Sequence, residues 1–211
     1  MRALVYSDVH GNLPAFEAML AKAGDCEMYV CLGDLVNYGP WSNECVDLAL
    51  SLPNSTLLMG NHEEAFIDGV YPGNSPLVKA FFAKTIINFD RKIEISAFLQ
   101  DYKLADYLCT HTINNTYIYP DTDISINNNY LIGHSHHQFR YQNNGFTLYN
   151  VGSVGQNRKY INSCNFLLYD LDKKEATMEN VIYPLDLLIK EMHIQNYSEE
   201  CINYYMSKAK V

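Results

Sequence analysis

The segment that decides the fold is MRALVYSDVHGN, residues 1–12. Within it, Arg2–Ser7 alternates and then becomes continuously apolar, which is typical of a buried strand. The run ends on the polar letters DVHGN, and Asn12 is a suitable N-cap for a helix over about Leu13–Lys22. The segment therefore predicts a strand that passes directly into a helix, with an aspartate and a histidine at the junction.

Two further units of the same kind follow. Glu27–Leu32 is predicted to be the second strand, a helix capped by Ser42 or Asn43 is predicted to run through Ser51, and Ser55–Met59 is predicted to be the third strand. Strands that alternate with helices in this way are the pattern of an α/β protein.

The rest of the chain predicts two helices, then a series of short strands, then two closing helices. The predicted helices are Pro76–Asn88, Arg91–Gln100, Pro184–Ile194 and Glu199–Ala209, and the predicted strands are Lys103–Thr110, Tyr130–Gly133, Phe146–Val151, Phe166–Leu171 and Ala176–Ile182. No repeat, low-complexity tract or linker interrupts the chain. We therefore expect one α/β domain over residues 1–211, with a mixed sheet.

The composition is that of a globular protein with a substantial core, because 48% of the residues are hydrophobic and 18% are charged. The opening MRALVY turns polar at once, so it does not predict a signal peptide, and no apolar run approaches the ~20 residues that span a bilayer. A cytoplasmic protein without a membrane segment is expected. The six cysteines are scattered without metal spacing and are predicted to be small core residues.

The formal net charge of −9 argues against binding to long nucleic acids, which requires a basic surface. Two bound divalent cations would change this charge from −9 to −5 and would concentrate positive charge at one place. An acidic protein with such ions still attracts a phosphate there, because bound ions dominate the local field.

Five short polar segments fall where predicted strands end, and ligands of open α/β sheets collect at the carboxyl ends of strands. Five of the seven histidines lie in these segments, and His137 and His193 are left without a predicted role. Each segment alone is a weak signal, whereas their co-occurrence in order is specific. The segments are Asp8-Val9-His10, Gly33-Asp34, Gly60-Asn61-His62-Glu63, Thr110-His111 and Gly133-His134-Ser135-His136.

The residue types in these segments suit a pair of metal ions. Aspartate and asparagine oxygens together with histidine nitrogens favour Zn²⁺, Mn²⁺, Fe or Ni over a soft thiolate site. Asp8 and His10 are two positions apart, so both side chains point to one face of an extended backbone, and His134 and His136 repeat this spacing. Asp34 is the natural carboxylate to bridge two ions.

The ordered motifs DVHGN, GDLVNYGP, GNHE, TH, GHSH and NVGSVGQ, from Asp8 to Gln156, resemble those of the calcineurin-like metallophosphoesterase superfamily. The resemblance is strongest to its small prokaryotic phosphodiesterase branch, often described as diadenosine-tetraphosphatase-like. It implies a four-layer α/β/β/α sandwich with mixed sheets and with a dinuclear metal centre at its mouth.

The resemblance also implies the roles of the residues. One metal is expected on Asp8, His10, Asp34 and His136, and the other on Asp34, Asn61, His111 and His134. His62 is the expected catalytic imidazole, assisting the leaving group while a metal-bridging water or hydroxide attacks phosphorus. The expected cofactors are two divalent ions (Mn, Fe, Ni or Zn), with manganese favoured for activity, and the expected substrate is a small phosphodiester or nucleotide.

Two departures from the family pattern limit this inference. Asn37 and Tyr38 stand where the protein-phosphatase branch has Asp and Arg, which disfavours a phosphoprotein substrate, and His111 lacks its usual glycine neighbour. Substrate contacts by Tyr38, Trp41 or Arg158 remain open, as does a homodimer. The alternatives are a phosphomonoesterase and a non-catalytic metal-binding scaffold.

Overall fold

The computed structural model describes residues 1–211 and contains ten strands and seven helices. The first part alternates as predicted, and its elements are β1 (Arg2–Tyr6), α1 (Leu13–Ala23), β2 (Met28–Cys31), α2 (Ser42–Ser51), β3 (Ser55–Leu57), α3 (Asn61–Asp68), α4 (Pro76–Thr85) and α5 (Lys92–Ser96). The second part is β4 (Asp101–Leu104), β5 (Tyr107–Thr110), β6 (Asn129–Ile132), β7 (Gln138–Asn143), β8 (Phe146–Val151), β9 (Ser163–Asp170), β10 (Glu175–Ile182), α6 (Leu185–Ile194) and α7 (Glu199–Met206).

The strands form two mixed sheets of five strands each. The first sheet has the order β10-β9-β1-β2-β3, with β1, β2 and β3 parallel and β9 antiparallel to both of its neighbours. The second has the order β4-β5-β6-β8-β7, with β5, β6 and β8 parallel and the two edge strands antiparallel. The predicted α/β fold with mixed sheets is confirmed.

Strand β1 is apolar throughout because both of its faces are buried. Ala3 and Val5 belong to the cluster of twelve buried residues between the sheets, whereas Leu4 and Tyr6 belong to the larger cluster that the helices cover. A strand covered on both faces shows a continuous hydrophobic run instead of alternation. This explains why the opening segment is so strong a signal of the fold.

The outer face of the second sheet differs in detail from the implied sandwich. Ile132, Phe139 and Leu148 of this face pack against Ile118 and Ile126. The last two residues lie in an irregular segment between β5 and β6, residues 111–128, which contains no helix. The second sheet is therefore covered by a long loop on this side, and the same loop reaches the site described below.

Two predicted elements are wrong, and two elements were not predicted. The single predicted strand Lys103–Thr110 is a hairpin, β4 and β5, that turns at Ala105 with a φ of 51°. Alanine is not a turn residue, so the sequence carries no signal there. The predicted helix Arg91–Gln100 shortens to α5. Helix α3, which the segment GNHE opens, and strand β7 were not predicted.

The six cysteines are free and buried, in agreement with their predicted role as core residues. None of the helices has the length and apolar character that crossing a membrane requires. Ile182, Leu187, Ile194 and Met206, in β10, α6 and α7, are exposed apolar side chains, and the homodimer remains a prediction.

Candidate metal centre

The seven predicted ligands come together at one edge of the sandwich. Asp8 and His10 follow β1, Asp34 follows β2, Asn61 opens α3, His111 follows β5, and His134 and His136 follow β6. The parallel strands of both sheets therefore direct their carboxyl ends toward a common point, as expected for ligand sites in α/β sheets. All but Asn61, which is half-buried, are buried.

The backbone at this point is unusual. Asp8, His10, Asp34, His134 and His136 all have φ between 52° and 66°, in the left-handed region that residues other than glycine seldom adopt. Five such residues in one site store strain that the surrounding structure must offset, and strain of this kind clusters at functional sites.

The first group of ligand atoms belongs to Asp8, His10, Asp34 and His136, and these atoms all lie within 4.8 Å of one another. The Nε2 of His136 is 3.1 Å from Oδ1 of Asp8 and 3.2 Å from Nε2 of His10. The Nε2 of His10 is 3.9 Å from Oδ2 of Asp34. Four donors at these separations surround a space of the size that one ion fills.

The second group consists of Asp34, His111 and His134, again within 4.8 Å of one another. The Nε2 of His111 is 3.3 Å from Oδ2 of Asp34, 3.0 Å from Nδ1 of His134 and 3.1 Å from Oδ1 of Asn61. Asn61 thus completes this group, and Asp34 belongs to both. The seven side chains thus lie in two groups that share Asp34.

The main chain orients three of the imidazoles. The Nδ1 atoms of His10, His111 and His136 donate hydrogen bonds of 3.2, 2.8 and 2.9 Å to the carbonyl oxygens of Val36, Leu32 and Gln156. A carbonyl only accepts, so each Nδ1 carries a proton, and whenever the ring is neutral its Nε2 presents a lone pair to the site. Metal-binding histidines are held in this way.

Two observations indicate that the residues fit divalent cations. The lone pairs of His10 and His136 face one another at 3.2 Å, which is repulsive without a positive charge between or beside them. In addition, Oδ1 of Asp8 is buried and has no hydrogen-bond donor. A buried carboxylate oxygen without a donor is costly, and a coordinated ion satisfies it. The set of oxygen and imidazole donors suits Zn²⁺, Mn²⁺, Fe or Ni.

The carboxylates give the site a strong negative potential. Burial lowers the pKa of His111, but Asp34 and Asp8 outweigh this effect and raise it to about 10. Burial and the neighbouring His111 lower the pKa of His134 to about 4. Although burial opposes it, His136 holds the pKa of Asp8 below its usual range. A site that stabilises a cation so strongly on one imidazole is electrostatically suited to metal ions.

Glu63 is a supporting residue for which the sequence analysis made no prediction. Its buried carboxylate accepts hydrogen bonds from the backbone N–H groups of Asp34 at 2.7 Å, Leu35 at 2.7 Å, Val36 at 3.3 Å and Gly60 at 2.9 Å. Burial and the charge of Asp34 raise its pKa to about 7, whereas the N–H donors favour the ionised form. Glu63 thereby ties the loop that carries Asp34 to the start of α3. Its position as the third residue of a helix, typical of a capping box, was the available signal.

His62 lies beside the ligands without belonging to either group. Its ring centroid is 4.9 Å from that of His10, and its backbone N–H donates a 2.9 Å hydrogen bond to Oδ1 of Asp34. Its Nδ1 is 2.8 Å from Nδ2 of Asn37. Burial lowers the pKa of His62, so its neutral form is favoured.

The orientation of the Asn37 amide determines where the proton of His62 lies. The backbone N–H of Tyr38 donates a 2.7 Å hydrogen bond to Oδ1 of Asn37. A backbone N–H can only donate, so the atom that faces it is the amide oxygen. The amide NH₂ must therefore point to His62, and Nδ1 of His62 must accept from it. The remaining proton of the neutral ring is on Nε2. This tautomer is the opposite of the one that His10, His111 and His136 adopt.

Three residues left open by the sequence have different surroundings. Tyr38 packs edge-on against His10, with ring centroids 4.8 Å apart, and lies 5.5 Å from His62. Arg158 donates a 2.7 Å hydrogen bond to the hydroxyl of Tyr204, whose ring is 6.3 Å from that of Tyr38. Trp41 instead packs against the core beneath the helices.

Two mixed sheets that hold overlapping groups of Asp, Asn and His at their strand ends define the class of metallophosphoesterase sandwiches. Comparison with known proteins agrees: the chain belongs to the family described as calcineurin-like phosphoesterase, which matches residues 1–191. The chain is 30% identical over 215 residues to an uncharacterized protein of Methanocaldococcus jannaschii, with 87% of each chain covered.

Two solved structures show the same fold. One is a metallophosphoesterase from Sphaerobacter thermophilus, with a TM-score of 0.82, 24% sequence identity and 98% of both chains covered. The other is a hypothetical protein from Pyrococcus horikoshii, with a TM-score of 0.79, 15% identity and 97% of both chains covered. At these identities the likeness concerns the fold.

We predict that the purified protein, loaded with Mn²⁺ and freed of excess metal, contains two ions per chain. His136→Ala and His134→Ala should each retain one, because each removes a ligand from one group, whereas Asp34→Ala should weaken both sites. Elemental analysis by mass spectrometry measures the stoichiometry. His193→Ala, on the exposed face of α6, is the control and should retain two ions. Two ions in Asp34→Ala would contradict the shared ligand.

We predict that Glu63→Gln lowers the free energy of unfolding by about 1–3 kcal/mol. The NH₂ group of the glutamine would face backbone N–H groups, which are donors too, and their hydrogen bonds would be lost. Urea denaturation in the presence of a chelator measures this effect without a contribution from bound metal. The control is Glu64→Gln, the same substitution at the neighbouring exposed residue, which should leave the urea denaturation curve unchanged. Coincident curves for the two variants would show that Glu63 does not hold the loop.

Proposed function

We propose that the chain is a dinuclear metal-dependent phosphoesterase, one domain over residues 1–211, which hydrolyses a small phosphodiester or nucleotide. The observation that carries the proposal is the pair of ligand groups that share Asp34, with His62 beside them. When bound, two divalent ions supply a lowered pKa for water and neutralise the charge of the phosphoryl oxygens. We favour manganese for activity, because the two carboxylates and the amide oxygen suit it beside the four imidazoles.

In this reaction the role of the protein is to place a proton donor beside the leaving group. His62 fits that role because Asn37 leaves the ring proton on Nε2, as described above. A neutral imidazole with Nε2–H donates a hydrogen bond to the departing oxygen and stabilises the charge that develops there. Its contact with the Asp34 carboxylate through the backbone N–H keeps His62 in register with the ligands.

Arg158 is a candidate for holding an anionic group of the substrate. Its guanidinium donates to the hydroxyl of Tyr204. Burial lowers the pKa of Arg158, but Tyr204, Tyr38 and Asp8 outweigh this effect and raise it. A guanidinium with one N–H occupied still offers further donors to phosphate oxygens. Arg158 thus supplies a positive charge on the side of the centre where His10 and Tyr38 lie.

The alternative functions have less support. A scaffold that only binds partners has no need for seven converging ligands and an oriented His62. A protein phosphatase of the branch with an Asp-Arg pair has no counterpart of that pair here, because Asn37 and Tyr38 occupy the positions. A phosphomonoesterase is compatible with the ligands, and the diester and monoester activities are compared in the experiment that follows.

We predict that His62→Ala slows hydrolysis of bis-p-nitrophenyl phosphate by about 10²–10⁴-fold while both metal ions remain bound. The loss should be larger for a diester with a methyl leaving group, because a poorer leaving group depends more on proton donation. Initial rates with Mn²⁺, on diesters and on p-nitrophenyl phosphate, measure the effect. His193→Ala is the control. Unchanged turnover in His62→Ala would refute the assigned role, and no turnover by the loaded wild type on any ester would refute the proposed activity.

We predict that in the Zn²⁺-loaded protein Nδ1 of His62 has no attached proton and Nε2 carries one. The ¹⁵N shifts of the imidazole ring, recorded in long-range ¹H–¹⁵N spectra, distinguish the two nitrogens. Asn37→Asp should reverse the pattern, because a carboxylate accepts where the amide donates. Asn43→Asp, at an amide on α2 away from the site, should change nothing. A protonated Nδ1 in the wild type would contradict the argument.

A further inference from the structure

A cavity of ≈ 280 Å³ opens beside the second ligand group, next to Asn61, His111 and His134. Its walls come from both parts of the fold. Tyr71 belongs to the loop after α3, and Tyr117 and Asn115 belong to the segment 111–128 that covers the second sheet. The proposed function leaves this cavity without a role.

The two tyrosines of the cavity are each stacked on a histidine of the centre. The ring of Tyr117 is parallel to that of His134 within 28°, with centroids 4.0 Å apart. The ring of Tyr71 is parallel to that of His62 within 22°, with centroids 5.7 Å apart. Tyr117 is nevertheless 56% exposed, so much of this aromatic surface remains available to a ligand. Aromatic surface therefore begins next to the histidines and extends from them along the cavity.

The polar groups of the cavity favour an uncharged part of a ligand. Its lining contains no lysine or arginine, and it includes the carboxylate of Glu64, which disfavours an anion such as a second phosphate. The amides of Gln100 and Asn115 also line it. Side-chain amides pair with the donor and acceptor edges of nucleobases, and aromatic rings stack on the faces of bases.

We propose that this cavity binds a nucleoside, with the base stacked against Tyr71 and Tyr117, so that the substrate class is a nucleoside phosphate ester. The inference rests on the proposed function, because it takes His62 as the group beside the leaving oxygen, and Tyr71 stacks on His62. The volume of ≈ 280 Å³ lies at the lower end of ligand pockets, which commonly measure about 300–1,000 Å³, so the cavity has room for one nucleoside at most. The other substituent of the phosphate then lies outside the cavity.

The test is a comparison of adenosine 5′-monophosphate with ribose 5-phosphate, which lacks the base. Isothermal titration calorimetry on the Mn²⁺-loaded protein measures both dissociation constants. We expect the nucleotide to bind at least about tenfold more tightly, which is the size of effect that one stacked base produces. Tyr71→Ala and Tyr117→Ala should each remove about tenfold of nucleotide affinity and leave ribose 5-phosphate unchanged, while Tyr117→Phe should retain the affinity.

The control is Tyr130→Ala, a half-buried tyrosine of β6 that does not line the cavity and whose hydroxyl bonds Asn127. It should bind both ligands as the wild type does. Equal affinity of the wild type for the two ligands would overturn the proposal, as would an equal loss in Tyr130→Ala. Metal content, measured in every variant, shows whether an affinity loss arises from a displaced His134 instead of a lost stack, and such a result would also overturn it.

The outcomes separate this inference from the proposed function. A base-dependent affinity that Tyr71→Ala and Tyr117→Ala abolish, without turnover of any ester, would support the cavity and refute the enzymatic activity. Turnover of methyl and nucleoside diesters with equal kcat/KM, unaffected by either tyrosine variant, would support the activity and refute the cavity.

Discussion

The position of the Asp34 carboxylate is the constraint on which the rest of the centre depends. This side chain lies in both ligand groups, accepts the N–H of His62 through Oδ1, and sits on a loop whose backbone N–H groups converge on Glu63. A displacement of Asp34 would therefore alter two groups of ligands and the catalytic candidate together. The surrounding hydrogen bonds restrict this displacement, because their donors are main-chain N–H groups whose positions the backbone fixes.

Close packing between the two sheets accounts for the strained backbone of the ligands. A Cβ at Gly133 would lie 2.5 Å from Oδ2 of Asp8, and one at Gly60 would overlap the Asp34 side chain. Glycine at these positions allows loops from different strands to approach one another more closely than side chains permit. The ligands meet there with left-handed φ values, whose cost the surrounding structure must offset.

The sequence was sufficient to predict the alternation of β1 to β3 with α1 and α2, the mixed α/β class and the residues that converge, because the ligand segments follow apolar strands. It did not predict α3, the β4–β5 hairpin or β7. The structure added what depends on three-dimensional partners. Glu63 was visible only as a letter of GNHE, since its four donors come from two loops. Asn37 was noted as a departure, but the tautomer it imposes on His62 requires the contact with Tyr38. Tyr117, which stacks on His134, lies in a long irregular loop. Such a loop has no hydrophobic periodicity, so the sequence could not predict its position.

The anchoring of His10, His111 and His136 by backbone carbonyls has a consequence for how such a protein diversifies. Because main-chain atoms set the ring orientation, replacement of the side chains at Val36, Leu32 or Gln156 leaves the anchoring oxygens in place. The loop of residues 111–128 and the turn around Tyr71 line the cavity beside the centre. The residues that line the cavity can therefore change during evolution without altering the orientation of the three histidines.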